Sequence, residues 1–145
     1  MNTLSVGQAA AFSPESEKQL ATCHVDLQKV FRKVIQYWDC QVLEGKRSEA
    51  QQKINVGTGA SKTLDSKHVY PINLPSLAVD VVPYPVKWKD YQRFYAFGGF
   101  VIGVAHSMDI ILRWGGDWNS NREFSDQTFN DLPHFELVIP QEPIA

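Results

Sequence analysis

Two of the four histidines lie where their neighbours suggest metal chemistry. His68 precedes an apolar run that contains Asp80, and His134 enters a second apolar run. Asp131 lies three residues before His134, and Glu136 lies two residues after it. Two histidines and one aspartate can bind a zinc ion and leave its fourth tetrahedral position open, which is typical of catalytic zinc sites. His68, Asp80 and His134 are therefore candidate zinc ligands.

Asp80 is the acid that most needs an explanation, because it stands between Val79 and Val81 in an otherwise apolar strand. An unpaired carboxylate is costly to bury, so it requires a cation or strong hydrogen bonds. It either binds a metal, forms a salt bridge or caps the preceding loop. No His-Glu-X-X-His pair is present to fix two ligands on one helix, so spacing alone leaves these alternatives open.

The remaining polar residues have more ordinary interpretations. A carboxylate that is not a ligand can act as general base on a zinc-bound water. Residues two apart on a strand share a face, so His134 and Glu136 point the same way. His24 and His106 lie near predicted helix ends, and we interpret them as caps or as partners of a helix dipole.

The order of the predicted helices and strands that position these residues indicates an α+β fold. Apolar spacing and capping residues predict helices over residues 14–22, 25–38, 48–55 and 91–106. Strands are predicted over residues 40–43, 77–82, 109–114 and 135–139. Helices and strands do not alternate regularly, which favours a small antiparallel sheet with flanking helices.

Two long loops are predicted, over residues 56–77 and 115–131, and long loops in compact domains are usually functional. The 145 residues fit one domain, with residues 1–12 as a flexible N-terminal arm. Cys23 and Cys40 are too few for a disulfide framework, and we expect both to be buried thiols.

Composition narrows the class of protein. Hydrophobic residues make up 43% of the chain and charged residues 21%, as in ordinary globular domains. A net charge of −2 argues against binding to nucleic acid. No charged segment followed by an apolar run begins the chain, so we expect no secretory signal peptide and a cytoplasmic product. No apolar stretch is long enough for membrane insertion.

Several motifs, in order, resemble the zinc peptidase family that contains the D-Ala-D-Ala carboxypeptidases and the phage L-alanyl-D-glutamate endopeptidases. The main segments are Ser66-Lys67-His68, Leu77-Ala78-Val79-Asp80 and Asp131-Leu132-Pro133-His134-Phe135-Glu136-Leu137. Glu44-Gly45-Lys46-Arg47-Ser48 is similar to the family's glycine–arginine–serine stretch. Pro83-Tyr84-Pro85 with Trp88, and Arg113-Trp114-Gly115-Gly116-Asp117-Trp118, resemble the phage endolysin branch. The resemblance covers about residues 42–138 and implies a D-Ala-D-Ala carboxypeptidase/hedgehog-like fold.

The resemblance also implies roles for individual residues. The three candidate ligands above would bind one catalytic Zn²⁺. Asp131 would be the catalytic base, and Arg47 would bind a carboxylate or carbonyl of the substrate and stabilise the oxyanion. Glu136 is a rival for the base, but its place in the strand after the ligand favours a role in supporting His134.

Substrate-binding residues are less well defined. We assign Trp114 and Trp118 to the substrate cleft, although these tryptophans, like Trp88 and Tyr84, could equally pack in the core. Eleven residues separate His68 from Asp80, more than the family usually has. The extra residues fall within 69–74, where they would alter the substrate-binding surface more than the metal site.

The function implied by the resemblance is a zinc-dependent endolysin that hydrolyses the L-Ala–D-Glu bond of peptidoglycan stem peptides. We expect a monomer that stays in the host cytoplasm until a separate holin-type pore gives it access to the cell wall. The alternatives are a D-Ala-D-Ala carboxypeptidase using the same site, a non-catalytic zinc-containing binding module, and an interaction domain without metal. Asp131 argues against the binding module, because a non-catalytic copy has no need of a base.

Overall fold

The computed structural model describes residues 10–61, 66–125 and 130–139. These ranges contain four helices and four strands. The helices are α1 (Pro14–Leu20), α2 (Val25–Val34), α3 (Glu49–Gly57) and α4 (Tyr91–Ser107). The strands are β1 (Cys40–Glu44), β2 (Ala78–Pro83), β3 (Leu112–Gly115) and β4 (Asp131–Leu137).

The four strands form one sheet in the order β1-β2-β4-β3, and each neighbouring pair is antiparallel. Helices α2 and α4 pack against each other and against the sheet. This arrangement confirms the predicted α+β fold with a small antiparallel sheet and flanking helices. Among the described residues, no helix is long and apolar enough to cross a membrane.

An aromatic cluster joins the helices to the centre of the sheet. The ring of Phe135 on β4 lies 5.5 Å from that of Phe31 on α2 and 6.3 Å from that of Phe97 on α4. The ring of Trp114 on β3 stacks on Phe135 at 6.4 Å. All four side chains are buried, so the core fixes the rotation of β4 about its own axis.

Strand alternation then determines which side chains leave the core. Val79 pairs across the sheet with Phe135, and both belong to the buried apolar cluster. The next pair along, Asp80 and His134, must therefore face the opposite side of the sheet. The packing of the core thus places two of the predicted ligands side by side.

Several predicted boundaries differ from the structure. Helix α2 ends at Val34, four residues before the predicted end. Strand β4 begins at Asp131 instead of residue 135, because Gly115 of β3 pairs with Asp131. Of the predicted arm at residues 1–12, Ala10 and Phe12 pack against the core, and residues 1–9 lie outside the described part of the chain.

Strand β3 begins at Leu112 and not at residue 109, because helix α4 ends in a Schellman motif. Asp109 has a positive φ of 58°, and its amide donates to the carbonyl of His106. The amide of Ile110 donates to the carbonyl of Ala105. Because the amides of Asp109 and Ile110 bond the last carbonyls of the helix, they are not available to pair with a neighbouring strand.

Predictions for the smaller features are confirmed. Ser13 and Ser48 cap the N-termini of α1 and α3 through their side chains. His24 caps α2, and His106 lies in the last turn of α4. Cys23 and Cys40 are buried free thiols.

Two adjacent glycines of α4 provide a matched test of the packing against β3. An added Cβ at Gly98 would lie 2.3 Å from the Trp114 ring, whereas one at Gly99 would meet nothing within 4 Å. We expect Gly98→Ala to lower the free energy of unfolding by about 1–3 kcal/mol through overpacking. Gly99→Ala should raise it by about 0.5–1 kcal/mol, since alanine is the better helix former. Urea denaturation of both variants checks this, and equal effects would contradict the packing described.

Candidate metal centre and active site

Three ligand atoms from distant parts of the chain converge on one point. His68 Nε2 lies 3.2 Å from Asp80 Oδ1 and 3.3 Å from His134 Nδ1. His134 Nδ1 lies 3.3 Å from the same Asp80 oxygen. Both histidines are buried, and Asp80 is partly buried. Within the described residues these three side chains form a group that could hold a metal ion.

The spacing of these atoms fits a tetrahedral zinc ion. Zinc binds imidazole nitrogen and carboxylate oxygen at about 2.0–2.2 Å, so two ligands at the tetrahedral angle lie about 3.3–3.5 Å apart. The three observed separations of 3.2–3.3 Å agree with that edge length. The residues present therefore fit a zinc ion with one coordination position left for solvent or substrate.

His68 is held by backbone groups of the segment that follows β1. Its Nδ1 lies 2.8 Å from the carbonyl of Gly45, which can only accept a hydrogen bond. This contact places the ring proton on Nδ1 and leaves the Nε2 lone pair for a metal. The carbonyl of His68 in turn accepts from the amide of Arg47 at 2.8 Å. The ligand and the predicted substrate residue are thus fixed to each other through the backbone.

His134 is oriented by Glu136, its neighbour on the same face of β4. His134 Nε2 lies 2.9 Å from Glu136 Oε1, so the ring proton is on Nε2 and Nδ1 is available to the metal. The second carboxylate oxygen of Glu136 accepts from Lys67 at 3.0 Å and from Arg113 at 3.5 Å. Burial disfavours a charge on Glu136, but the hydrogen bonds with His134 and Lys67 outweigh burial and hold the pKa of Glu136 well below its usual range. Glu136 therefore orients the His134 ring, and its role in supporting a zinc ligand stays a prediction.

Charges in the metal-free site compensate each other. Burial disfavours the charged forms of both Asp80 and His134, but their mutual hydrogen bond outweighs it. The pKa of Asp80 falls well below its usual range, with help from His68. The pKa of His134 rises to about 9, with help from Glu136. Without a metal, a proton on His134 therefore balances the Asp80 carboxylate at neutral pH.

Asp131 lies at the edge of this group. Its Oδ2 is 3.8 Å from His134 Nδ1, close enough to reach a molecule bound beside the ligands. Burial and the neighbouring Asp80 carboxylate raise its pKa, which brings it nearer to that of an effective base at neutral pH. Its backbone is fixed by Gly115, where an added Cβ would lie 1.9 Å from the Asp131 carbonyl oxygen.

Arg47 is almost buried and held on three sides. Its Nε and Nη2 donate to the two carboxylate oxygens of Glu44 at 2.6 and 2.7 Å, and its Nη1 donates to Gln52 at 2.5 Å. The bonds to Glu44 raise its pKa, and the charges of Asp80 and Asp131 act in the same direction. The guanidinium of Arg47 therefore stays charged, and the carboxylates of Asp80 and Asp131 attract it electrostatically.

The two predicted substrate tryptophans differ in position. The ring of Trp118 lies 5.4 Å from the His134 ring and is partly exposed, so it forms a wall beside the ligands. Trp114 is only 3% exposed and packs in the core, where its Nε1 donates to the carbonyl of Leu132 at 2.8 Å. Its indole therefore supports the strand that carries Asp131, and a place for Trp114 in the substrate cleft stays a prediction.

Sequence analysis gave no individual role to three residues that hold the candidate ligands and Arg47 in place, which are Gly45, Gln52 and Lys67. Gly45 acts through a carbonyl, which every residue has, so no residue type marks it. Gln52 is buried and bonds Arg47, yet it looks like any polar residue of a surface helix. Lys67 adjoins His68 in the sequence, which marked it as a residue near the site. Its partner Glu136 lies far along the chain, so the ion pair between them could not be predicted.

Comparison with known proteins identifies the family. The sequence profile of the phage L-alanyl-D-glutamate peptidases matches residues 9–138. The chain is 33% identical to the L-alanyl-D-glutamate peptidase of Escherichia phage T5 over 138 residues, covering 88% of this chain and 97% of that protein. It is 31% identical to the L-alanyl-D-glutamate peptidase of Listeria phage A118 over 96 residues, covering 66% of this chain and 29% of that protein.

A solved structure agrees with the sequence comparisons. The crystal structure of the Serratia marcescens L-Ala D-Glu endopeptidase ChiX superposes with a TM-score of 0.67 at 33% identity, covering 88% of this chain and 90% of that one. The chain belongs to the phage L-alanyl-D-glutamate peptidase family, which confirms the predicted resemblance and identifies the protein as a peptidase.

The ligand geometry predicts one zinc ion per chain. We expect His68→Ala, Asp80→Ala and His134→Ala to lose stoichiometric zinc after dialysis, because each leaves only two ligands. His106→Ala, which changes an exposed histidine of α4, is the matched control and should retain the metal. Elemental analysis of the purified variants checks this, and full zinc content in His134→Ala would contradict the assignment.

Zinc binding should also release a proton. Because the pKa of His134 is raised to about 9 in the metal-free protein, the ring is protonated at neutral pH and zinc must displace that proton. The apparent zinc affinity should therefore rise as pH increases from 6 to 8, by up to about tenfold per pH unit. Calorimetric titrations in buffers of different ionisation enthalpy would measure the proton released. A pH-independent affinity with no proton release would contradict the description.

Proposed function

We propose that this chain is a zinc-dependent endopeptidase that hydrolyses the L-Ala–D-Glu bond of peptidoglycan stem peptides. The observation that carries the proposal is the convergence of one ligand atom each from His68, Asp80 and His134. The Asp131 carboxylate lies beside them, 3.8 Å from His134 Nδ1. Family membership supports the assignment of the cleaved bond, because the relatives from phage T5, phage A118 and Serratia are all named as peptidases of the L-Ala–D-Glu bond. One zinc ion bound there would polarise the peptide carbonyl and make water nucleophilic near neutral pH.

Asp131 is the general base in this proposal. Its Oδ2 lies 3.8 Å from His134 Nδ1, close enough to the ligand group to accept the proton of the attacking water and pass it to the leaving amine of D-Glu. Glu136 cannot take this role, since its two oxygens are occupied by His134, Lys67 and Arg113. The two carboxylates of this strand therefore have separate tasks.

Arg47 supplies fixed positive charge to the substrate. Three of its five N–H groups bond Glu44 and Gln52, which leaves two for a carboxylate or the developing oxyanion. Because Glu44 and Gln52 already hold the guanidinium in place, no reorganisation is needed as charge develops in the transition state. Trp118, beside the His134 ring, forms a wall of the same site and shields it from water.

Replacement of the base tests this division of roles. We expect Asp131→Asn to lower kcat by roughly 10²–10⁴-fold while zinc content stays at one per chain, because the amide cannot accept the proton. Asp109→Asn is the matched control: this exposed residue has a positive φ that asparagine tolerates, so activity should not change. Turnover of a synthetic stem peptide gives the rates. Activity retained in Asp131→Asn would contradict the role of this residue as the base.

The bond that is cleaved can be identified from the products. Peptidoglycan digested by the protein should yield new D-Glu amino termini and muramyl-L-alanine, as determined by mass spectrometry. A chelator should abolish these products, and added zinc should restore them. Release of free D-alanine instead would establish the carboxypeptidase alternative, and no product in any condition would favour a non-catalytic binding module.

We propose further that the protein acts as a monomer on the cell wall and depends on a separate holin-type pore for access from the host cytoplasm. Its place in a family of phage peptidases supports this sequence of events. Expression in a bacterial host should leave the cells intact until the inner membrane is permeabilised with chloroform, after which turbidity should fall within minutes. Lysis without permeabilisation would contradict the need for a pore, and a dimer in sedimentation would contradict the monomer.

A further inference from the structure

A cleft with aromatic walls shares Asp131 with the metal centre. Its volume is about 580 Å³, and four aromatic side chains line it together with the first residues of β4. The aromatic residues are Trp88, Tyr91, Phe94 and Tyr95. Of the described residues in its lining, Asp131 is the only charged one. The cleft is therefore suited to an uncharged ligand that reaches the catalytic base.

Two of these rings are presented to solvent. Trp88 is 56% exposed and Tyr91 is 60% exposed, although both are large and hydrophobic. The Trp88 ring stacks on the buried ring of Phe94 with centroids 5.8 Å apart and planes 20° from parallel. One face of Trp88 is thus supported by the core, and the exposed rings together form an apolar patch of the kind that marks binding sites.

The backbone on either side of Trp88 is fixed before any ligand binds. Arg93 donates to the carbonyls of Tyr84 and Pro85 at 2.6 and 2.5 Å. Asp90 caps helix α4 by accepting from the Arg93 amide, and its own amide donates to the carbonyl of Lys87 at 3.0 Å. A preformed platform lowers the ordering cost of binding.

The chemistry of the proposed substrate places a sugar close to this cleft. In peptidoglycan, L-Ala is the only residue between the scissile carbonyl and the lactyl group of the muramyl sugar, and one residue spans at most ~3.6 Å. That sugar is uncharged and has an apolar C–H face that can stack on an aromatic ring. The D-Glu side of the bond carries carboxylates, which match Arg47 and not an uncharged aromatic cleft.

We propose that the aromatic cleft formed by Trp88, Tyr91, Phe94 and Tyr95 is the subsite for the N-acetylmuramyl sugar of the substrate. The inference rests on the proposed endopeptidase function and deepens it. The substrate is thereby oriented, with its glycan side at Trp88 and its acidic side at Arg47. The enzyme recognises the junction between glycan and peptide, and not the stem peptide alone.

Two matched substrates test this subsite. One is the N-acetylmuramyl stem peptide, and the other is the same peptide with an N-acetyl group in place of the sugar. We expect the wild-type protein to have a kcat/KM about three- to tenfold higher for the sugar-bearing substrate, the range that one aromatic contact provides. In Trp88→Ala and in Tyr91→Ala this ratio should fall towards one. Zinc content confirms that the variants are folded at the metal centre.

The control is Tyr37→Ala, which removes a 63% exposed tyrosine that follows helix α2 and does not line the cleft. Its ratio should equal that of the wild type. A wild-type ratio of one, or a ratio unchanged in both cleft variants, would overturn the sugar subsite. Equal losses on both substrates would overturn it too, because they would assign the cleft to the peptide. A wild-type protein that cleaves neither substrate would contradict the endopeptidase function itself, and the subsite with it.

Discussion

The pairing of Asp80 with His134 across the two central strands is the interaction on which the site depends. Both residues face away from the helices because their neighbours, Val79 and Phe135, are committed to the core. Two polar side chains packed together there would be costly if each lacked a partner. The hydrogen bond between Asp80 and His134 balances their charges, and the same two atoms would bind zinc in the proposed site. Core packing and the proposed metal site therefore require the same strand register.

The third candidate ligand, His68, connects this pair to the proposed substrate-binding residue Arg47. His68 comes from a loop, where side chains are usually less well fixed than on strands. Its ring is held by the carbonyl of Gly45, and its own carbonyl holds the amide of Arg47. Lys67, its neighbour, neutralises the glutamate that orients His134. The candidate ligand His68, the proposed substrate-binding Arg47 and the residues that orient His134 thus form one connected network.

Residue types in the sequence indicated the candidate metal ligands better than they indicated where each side chain and strand boundary lies in the fold. An aspartate in an apolar run and histidines beside long loops indicated the candidate ligands, and helix caps such as Ser13 and Ser48 gave accurate N-termini. The position of Trp114 could not be predicted from its type, because an indole serves a core and a cleft equally well, and only long-range contacts with Phe135 and Leu132 show that it packs in the core. The start of β4 was missed because its pairing with β3 is a long-range contact that periodicity does not reveal.

The coordination of zinc in the intact protein is the most direct test of this account. X-ray absorption at the zinc edge, measured on the stoichiometric zinc form, reports the number, type and distance of the ligands. The account predicts four light-atom ligands at about 2.0–2.1 Å, two of them imidazoles, with one oxygen from solvent that an added substrate carboxylate or hydroxamate can replace. A sulfur ligand from Cys23 or Cys40, a single imidazole, or a fourth protein ligand closing the site would contradict it.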